Sequence, residues 1–240
     1  MSALYADPPG IYARGVPRSA DSTSTDTPAD GAALGRRLRA ERERQGIGVR
    51  ELSRRLDVSA SMISQIETSR VMPSVNTLYS ITTALGVSLD DLFAPEDGEG
   101  NGLAAVRRAA PAPEEADGGP VQRADRRKRL ELGSGVHWEL LTHAPEANVE
   151  FLYCTYDVGG ESAPEDGLMR HGGHEYGYVQ EGRLGVTVGF ETHELDTGDS
   201  ISFDSSIPHR LFNLLDDRPT TAVWVVVGRR GDPRSGSPGR

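Results

Sequence analysis

Apolar positions recur every three or four residues in one stretch of the chain and every second residue in another, and the change of period divides it. Leu34 and Leu38, with Ile47 beyond, mark the apolar stripe of a first helix over about 34–45. Its other faces carry Arg36, Arg37, Arg39, Glu41, Arg42, Glu43 and Arg44, and it stops at Gly46. Val49, Leu52 and Leu56 predict a second helix. Ser59 then supplies an N-cap for a third, which carries Met62, Ile63 and Ile66. Pro73-Ser74 opens a fourth with Val75, Leu78, Ile81 and Leu85 at core spacing, ended by Gly86, and Ser88 caps a short fifth through Leu92-Phe93.

From Val136 onward the apolar residues alternate or run in short blocks: 136–141, 149–156, 175–180, 184–188, 193–195, 201–203, 211–214 and 222–227. Gly159-Gly160, Gly172-Gly173, Glu181-Gly182, Gly189, Thr197-Gly198 and Asp216-Asp217 punctuate them. Short strands with turn signals this close predict an all-β sandwich or barrel. Two stretches lack enough large aliphatic residues to offset their ordering entropy. Residues 1–30 are rich in Pro, Ser, Thr and Asp and read as disordered; 96–119, rich in Ala, Pro, Gly and Glu, read as a flexible linker. The predicted organisation is a disordered segment (1–30), a helical domain (31–95), the linker (96–119), a β domain (120–230) and a disordered tail (231–240).

A net charge of -10 over 240 residues argues against a nucleic-acid binder until it is divided. Residues 31–70 hold nine arginines against five acids, whereas 131–240 hold 18 acids against eight bases. A positive field therefore sits on the helical unit, where a polyanion could be met. No apolar run approaches the roughly 18 residues of a membrane span. The first residues lack a charged start followed by an apolar core, so no secretory signal is predicted. The single cysteine, Cys154, excludes a disulfide framework or a cysteine-rich zinc site and fits a reducing cytoplasm.

A helix, a short turn and a second helix opened by a Ser cap is the arrangement that presents a helix N-terminus to the DNA major groove. The Ser59-x-Ser61-x-Ile63-Ser64-x-Ile66-Glu67 core, Pro73-Ser74, Thr77-Leu78 and the ending Leu85-Gly86-Val87-Ser88-Leu89-x-x-Leu92-Phe93 carry a close resemblance to the phage-repressor-like, XRE-type helix-turn-helix family. With Ile63 and Ile66 buried, Ser59, Ala60, Ser61, Met62 and Gln65 face outward. Gln65 suits an adenine edge, Ser61 can donate or accept, and Ala60 or Met62 can touch a thymine methyl. Arg36, Arg50, Arg70 and Ser74 are the expected phosphate contacts. Glu67 is expected to be structural, tied to an arginine such as Arg55. The chain departs from the family at Ser69, where Gly is usual, and at Gly48, where Thr or Ser often caps the second helix.

Between Met169 and Asn213 stand His171-Gly-Gly-His174-Glu175, Gly198-Asp199 and Pro208-His209-Arg-Leu-Phe-Asn213. They resemble the two cupin motifs, which implies a small antiparallel double-stranded β-helix barrel whose mouth holds a metal or an organic ligand. Met169 occupies the first ligand position, His171 the second, Glu175 the acid and His209 the second-motif histidine. His171, Glu175 and His209 supply the donor types of a facial triad for Fe, Mn or Zn. Equally, the three could hydrogen-bond across the mouth and hold no metal. His174 stands one residue from Glu175, so in a strand it points to the opposite face unless the chain bends at Gly172-Gly173. His174, Tyr178 and Phe203 complete the expected ligand-lining set. His137, His143 and His193 read as surface residues, and Cys154 as inert packing.

A DNA reader joined by a flexible linker to a small-molecule barrel is the layout of a one-component regulator. The resemblance implies a cytoplasmic, non-enzymatic homodimer that presents two third helices to half-sites roughly 34 Å apart on an operator. A small-molecule effector in the barrel would modulate operator affinity. The competing class is a mononuclear non-haem iron oxygenase or epoxidase using His171, Glu175 and His209, since phosphonate epoxidases also join a helix-turn-helix-like domain to a cupin.

Overall fold

A computed structural model describes residues 31–87, 92–93, 120–143 and 148–228. The predicted N-terminal segment, the linker and the tail lie outside the described residues, as do residues 88–91 of the predicted fifth helix; Leu92 and Phe93 are buried.

Four helices form the N-terminal unit: α1 (Gly31–Arg44), α2 (Val49–Leu56), α3 (Ala60–Glu67) and α4 (Val75–Leu85). Their boundaries follow local chemistry. The Ser59 side chain accepts a hydrogen bond from the Met62 N–H at 3.1 Å, and Ser74 does the same for Thr77 at 3.2 Å. Gly86 closes α4 in the left-handed conformation that a glycine adopts without penalty. Gly48 precedes α2 with no side-chain cap, and Ser69 holds a positive φ of 57°, the conformation for which the family uses Gly. Leu34, Leu38, Leu52, Ile63, Ile66, Val75, Leu78, Ile81 and Leu85 meet in the core.

Two residues of α1 assigned by sequence to a solvated face are buried instead. Positions 41 and 42 continue the stripe of Leu34 and Leu38, and Glu41 and Arg42 are buried with it. Arg42 makes a bidentate pair with Glu67, Nε to Oε1 at 2.5 Å and Nη2 to Oε2 at 2.8 Å. This corrects the expected Arg55 partner. Arg55 lies on the exposed side of α2 and pairs with Glu51 four residues earlier.

The C-terminal unit holds nine strands: β1 (Arg129–Leu132), β2 (Val136–Leu140), β3 (Val149–Tyr156), β4 (His174–Glu181), β5 (Arg183–Val188), β6 (Glu191–Asp196), β7 (Ser200–Asp204), β8 (His209–Asn213) and β9 (Thr220–Val227). They form a six-stranded sheet, β1-β2-β3-β9-β4-β7, and a three-stranded sheet, β6-β5-β8, with every pairing antiparallel. Strand β1 was missing from the sequence pattern because Arg-Leu-Glu-Leu is too short to establish a period. Gly177 on β4 lies under the Trp224 ring, where a Cβ would come within 2.0 Å of it.

The sequence joins the two units only through the linker, but they also touch directly along α4. The Asn76 N–H, one of the donors a helix N-terminus leaves without an internal partner, donates to the Ser162 carbonyl at 3.0 Å, and Asn76 Nδ2 donates to the Gly167 carbonyl at 3.2 Å. Gly133 donates its N–H to the Pro73 carbonyl at 3.0 Å. One turn further along α4, the Tyr79 hydroxyl donates to Glu150 Oε2 on β3 at 3.1 Å.

Candidate functional site

Two sites emerge. On α3, Ile63, Ile66 and Glu67 are buried, whereas Ser59, Ser61, Met62, Ser64 and Gln65 are exposed and Ala60 is half-buried. Gln65 Nε2 donates to Ser61 Oγ at 3.3 Å, so the two polar side chains form one patch along the exposed face of α3. Arg36, Arg50 and Arg70 are exposed, and Ser74, at the mouth of α4, is half-buried. The bidentate grip of Arg42 on Glu67 ties the C-terminal end of α3 to α1 on the side opposite its exposed face.

The second site lies inside the barrel. Strand alternation turns Glu175 inward on β4, and it is 2% exposed. His209 opens β8 and is fully buried; His171 is held by its own N–H donating to the Ser205 carbonyl at 3.0 Å. Glu175 Oε1 lies 3.0 Å from His171 Nε2 and 3.1 Å from His209 Nε2. Each imidazole is oriented from behind. His171 Nδ1 donates to the Gly172 carbonyl at 3.0 Å and His209 Nδ1 to the Ile207 carbonyl at 2.8 Å, which assigns the proton to Nδ1 and leaves the Nε2 lone pairs facing Glu175. The Trp224 Nε1–H donates to Glu175 Oε2 at 2.7 Å and fixes the carboxylate.

None of the three converging atoms has a hydrogen bond of adequate geometry within the protein. Two lone pairs and a carboxylate oxygen packed together repel unless a cation lies among them. The three ligand atoms all fall within 4.8 Å of one another, and the donor set therefore fits a divalent ion. The electrostatics likewise call for positive charge beside Glu175, whether on an ion or on a protonated imidazole. Burial pushes the Glu175 carboxyl up, but the two imidazoles pull it down further, to a net position below the ordinary carboxylate range. For His209 burial acts downward, Glu175 acts upward, and the result is upward.

Phe203 is buried with its ring centroid 5.1 Å from that of His209, inside the barrel. His174 and Tyr178 do not line the site. They alternate with Glu175 along β4 and stand on its outer face, where Tyr178 is 48% exposed and His174 packs on Tyr176 at 4.9 Å. The chain does not bend enough at Gly172-Gly173 to turn His174 inward. Met169 is buried and bridges His209 through its backbone. Burial pushes the Cys154 thiol up, with Glu175 adding to the effect, so it stays protonated and inert. A cavity of about 260 Å³ lies apart from the triad, lined by Arg129, Glu131, His137, Trp138 and neighbouring residues of β1 to β3.

Three residues that sequence reasoning did not single out bear on the barrel site. Trp224 holds Glu175, Glu150 receives the Tyr79 hydroxyl, and Tyr79 itself stacks on His171 with centroids 4.8 Å apart and planes 9° from parallel. His171 in turn meets His209 edge-on at 5.2 Å. Tyr79 follows Val75 and Leu78 at core spacing on α4, so the pattern marks it as buried; nothing in the pattern says that it is buried against the barrel.

Residues 33–94 match the helix-turn-helix domain family and residues 152–226 the cupin domain family. The chain is 27% identical over 186 residues to the HTH-type transcriptional regulator PuuR of Escherichia coli strain K12, an alignment covering 77% of this chain and 89% of that protein. Among solved structures, an HTH_3 family transcriptional regulator from Vibrio cholerae is similar at a TM-score of 0.56 and 21% identity, covering 82% of this chain and 96% of that one. Hydroxypropylphosphonic acid epoxidase from S. wedmorenis aligns at a TM-score of 0.38 and 18% identity over 83% of this chain and 100% of that one.

Proposed function

We propose that this chain, a helix-turn-helix domain joined to a cupin domain, is a sequence-specific transcriptional regulator whose barrel holds a divalent metal and answers to a small-molecule effector. The observation that carries it is the polar patch of Ser61 and Gln65 on the exposed face of α3, in a unit that also exposes Arg36, Arg50 and Arg70 and that matches helix-turn-helix proteins. Ser59, Ala60, Ser61, Met62 and Gln65 read base edges; Arg36, Arg50, Arg70 and Ser74 meet phosphates. The similarity to PuuR, a protein named as a regulator, over most of both chains supports regulation rather than catalysis. No helix among the described residues is long and apolar enough to cross a membrane, which is in keeping with a cytoplasmic DNA-binding protein.

His171, Glu175 and His209 would hold the ion, of the Fe, Mn or Zn class that imidazole and carboxylate donors suit. The outer face of the six-stranded sheet supports a homodimer. Phe151, Val225 and Tyr176 lie in one row across β3, β9 and β4, with Tyr178 beside them, and Phe151, Tyr176 and Tyr178 are each at least 36% exposed. Pairing two barrels through this face presents two copies of α3 to successive half-sites.

The test is genomic-fragment selection with the purified chain at stated salt, followed by binding of Gln65→Ala and Ser61→Ala to the selected duplex. Each loses about 1–3 kcal/mol of discrimination at its base pair. Wild-type binding by both variants would mean that the reading face lies elsewhere. The same donor triad would also serve an iron oxygenase. Oxygen consumption by the iron-loaded protein in the absence of any duplex affinity would favour that reading.

A further inference from the structure

The barrel site is not built by the barrel alone. Tyr79 belongs to α4 of the reading domain, yet it is 6% exposed and lies flat on His171, with its edge toward Trp138 at a centroid distance of 5.6 Å and its hydroxyl on Glu150. We propose that Tyr79 is a wall of the metal and effector site contributed by the DNA-binding domain, and that through it occupancy of the barrel is transmitted to the reading helix. This rests on the regulator reading above and supplies its coupling route.

The route is physically continuous at both ends. On the barrel side, the His171 ring stacks on Tyr79 and stands at 83° to the His209 ring, and its Nε2 faces Glu175. With an ion held by His171, Glu175 and His209, the His171 ring on which Tyr79 rests would be fixed in place. A second strand of contacts runs beside it. The Ser162 carbonyl accepts from the first turn of α4, while the Ser162 Oγ and N–H are tied to Leu211 on β8, two residues from His209. On the DNA side, α4 packs on α1 and α2, and both of those pack on α3. The same helix begins at Ser74, one of the proposed phosphate contacts. Any shift of Tyr79 is therefore a shift of the surface that meets DNA, and a ligand that favours one seating of α4 biases duplex affinity.

Linkage makes this measurable with the full-length chain and Co²⁺ alone as the probe. Duplex affinity is measured by fluorescence anisotropy with and without saturating Co²⁺, and Co²⁺ affinity by its visible absorption with and without saturating duplex. In the wild type the two factors are equal and at least about fivefold. In Tyr79→Leu the factor, taken between each ligand's affinity with the other absent and with it saturating, falls below about twofold whatever the Co²⁺ affinity itself becomes, whereas in Tyr79→Phe, which keeps the ring, it stays within about twofold of wild type. A measurement on unaltered protein guards against misfolding of the variant: Co²⁺ raises hydrogen-exchange protection of the Asn76 amide. An undiminished factor in folded Tyr79→Leu, or a wild type that binds both ligands without any factor or change at Asn76, overturns the coupling route and leaves the regulator reading standing. A wild type that binds no duplex at any salt removes both.

Discussion

Replacing Glu67 by Ala leaves Arg42 as an unpaired cation in a core. The guanidinium side chain is 7% exposed and spends two of its donors on Glu67. Two other contacts survive: Nη1 donating to the Ile47 carbonyl at 2.8 Å, and Nη2 at 3.6 Å from Glu43, whose side chain is half in solvent. An arginine keeps its charge at any ordinary pH, so the side chain cannot escape by losing its proton once Glu67 is gone. Removing one partner of such a pair costs about 3–5 kcal/mol. The surviving contacts place this case near the lower end, about 3 kcal/mol. With a urea m-value of about 1–3 kcal/mol per molar, the helical unfolding midpoint falls by about 1–3 M. Far-UV circular dichroism of the full chain reads the α-helices, which among the described residues all belong to this unit, while Trp138 and Trp224 report the barrel by fluorescence. Glu67→Gln, which keeps hydrogen bonding and loses the charge, falls between. The double replacement Arg42→Met with Glu67→Leu recovers most of the loss, because no charge is then stranded. A Glu67→Ala penalty below about 1 kcal/mol would refute the reasoning, since it would mean that the guanidinium finds water without disturbing the fold.

Ser69→Gly is expected to stabilise the helical unit by about 0.5–1 kcal/mol, because the left-handed conformation costs a side-chain-bearing residue about 1–2 kcal/mol and glycine returns part of that as unfolded-state entropy; urea midpoints check it. Trp224→Phe removes the hydrogen bond that holds Glu175 without touching a metal donor, and Co²⁺ affinity drops by about 10–100-fold in competitive titration; an unchanged affinity would exclude a role for the indole. Tyr176→Glu combined with Tyr178→Glu places charge on the exposed sheet face, and light scattering finds monomer with weakened operator binding, whereas an intact dimer would move the interface elsewhere.

Local chemistry was legible throughout. The caps at Ser59 and Ser74, the stop at Gly86 and the core stripes of α2 to α4 follow from side chains within a few residues of one another. The donor set His171, Glu175 and His209 was equally readable, through the resemblance of its spacing to the two cupin motifs. At the barrel site the reading failed at two residues. His174 would turn inward only if the chain bent at Gly172-Gly173, which it does not do far enough, and Tyr178 stands an odd number of residues from Glu175 in one strand, so both lie outside.

Sequence alone determined the elements, their order, the two domain types and the residues with the right chemistry, since period, caps and donor types are properties of short segments. Only the tertiary structure decided partners across long separations. Arg42 rather than Arg55 takes Glu67 because helix packing, not spacing along one helix, brings them together. Trp224 meets Glu175, and Tyr79 meets His171, across 49 and 92 positions of chain. A buried charge or an aromatic face must find a partner, but the identity of that partner is set by how whole elements pack, and no local pattern encodes it.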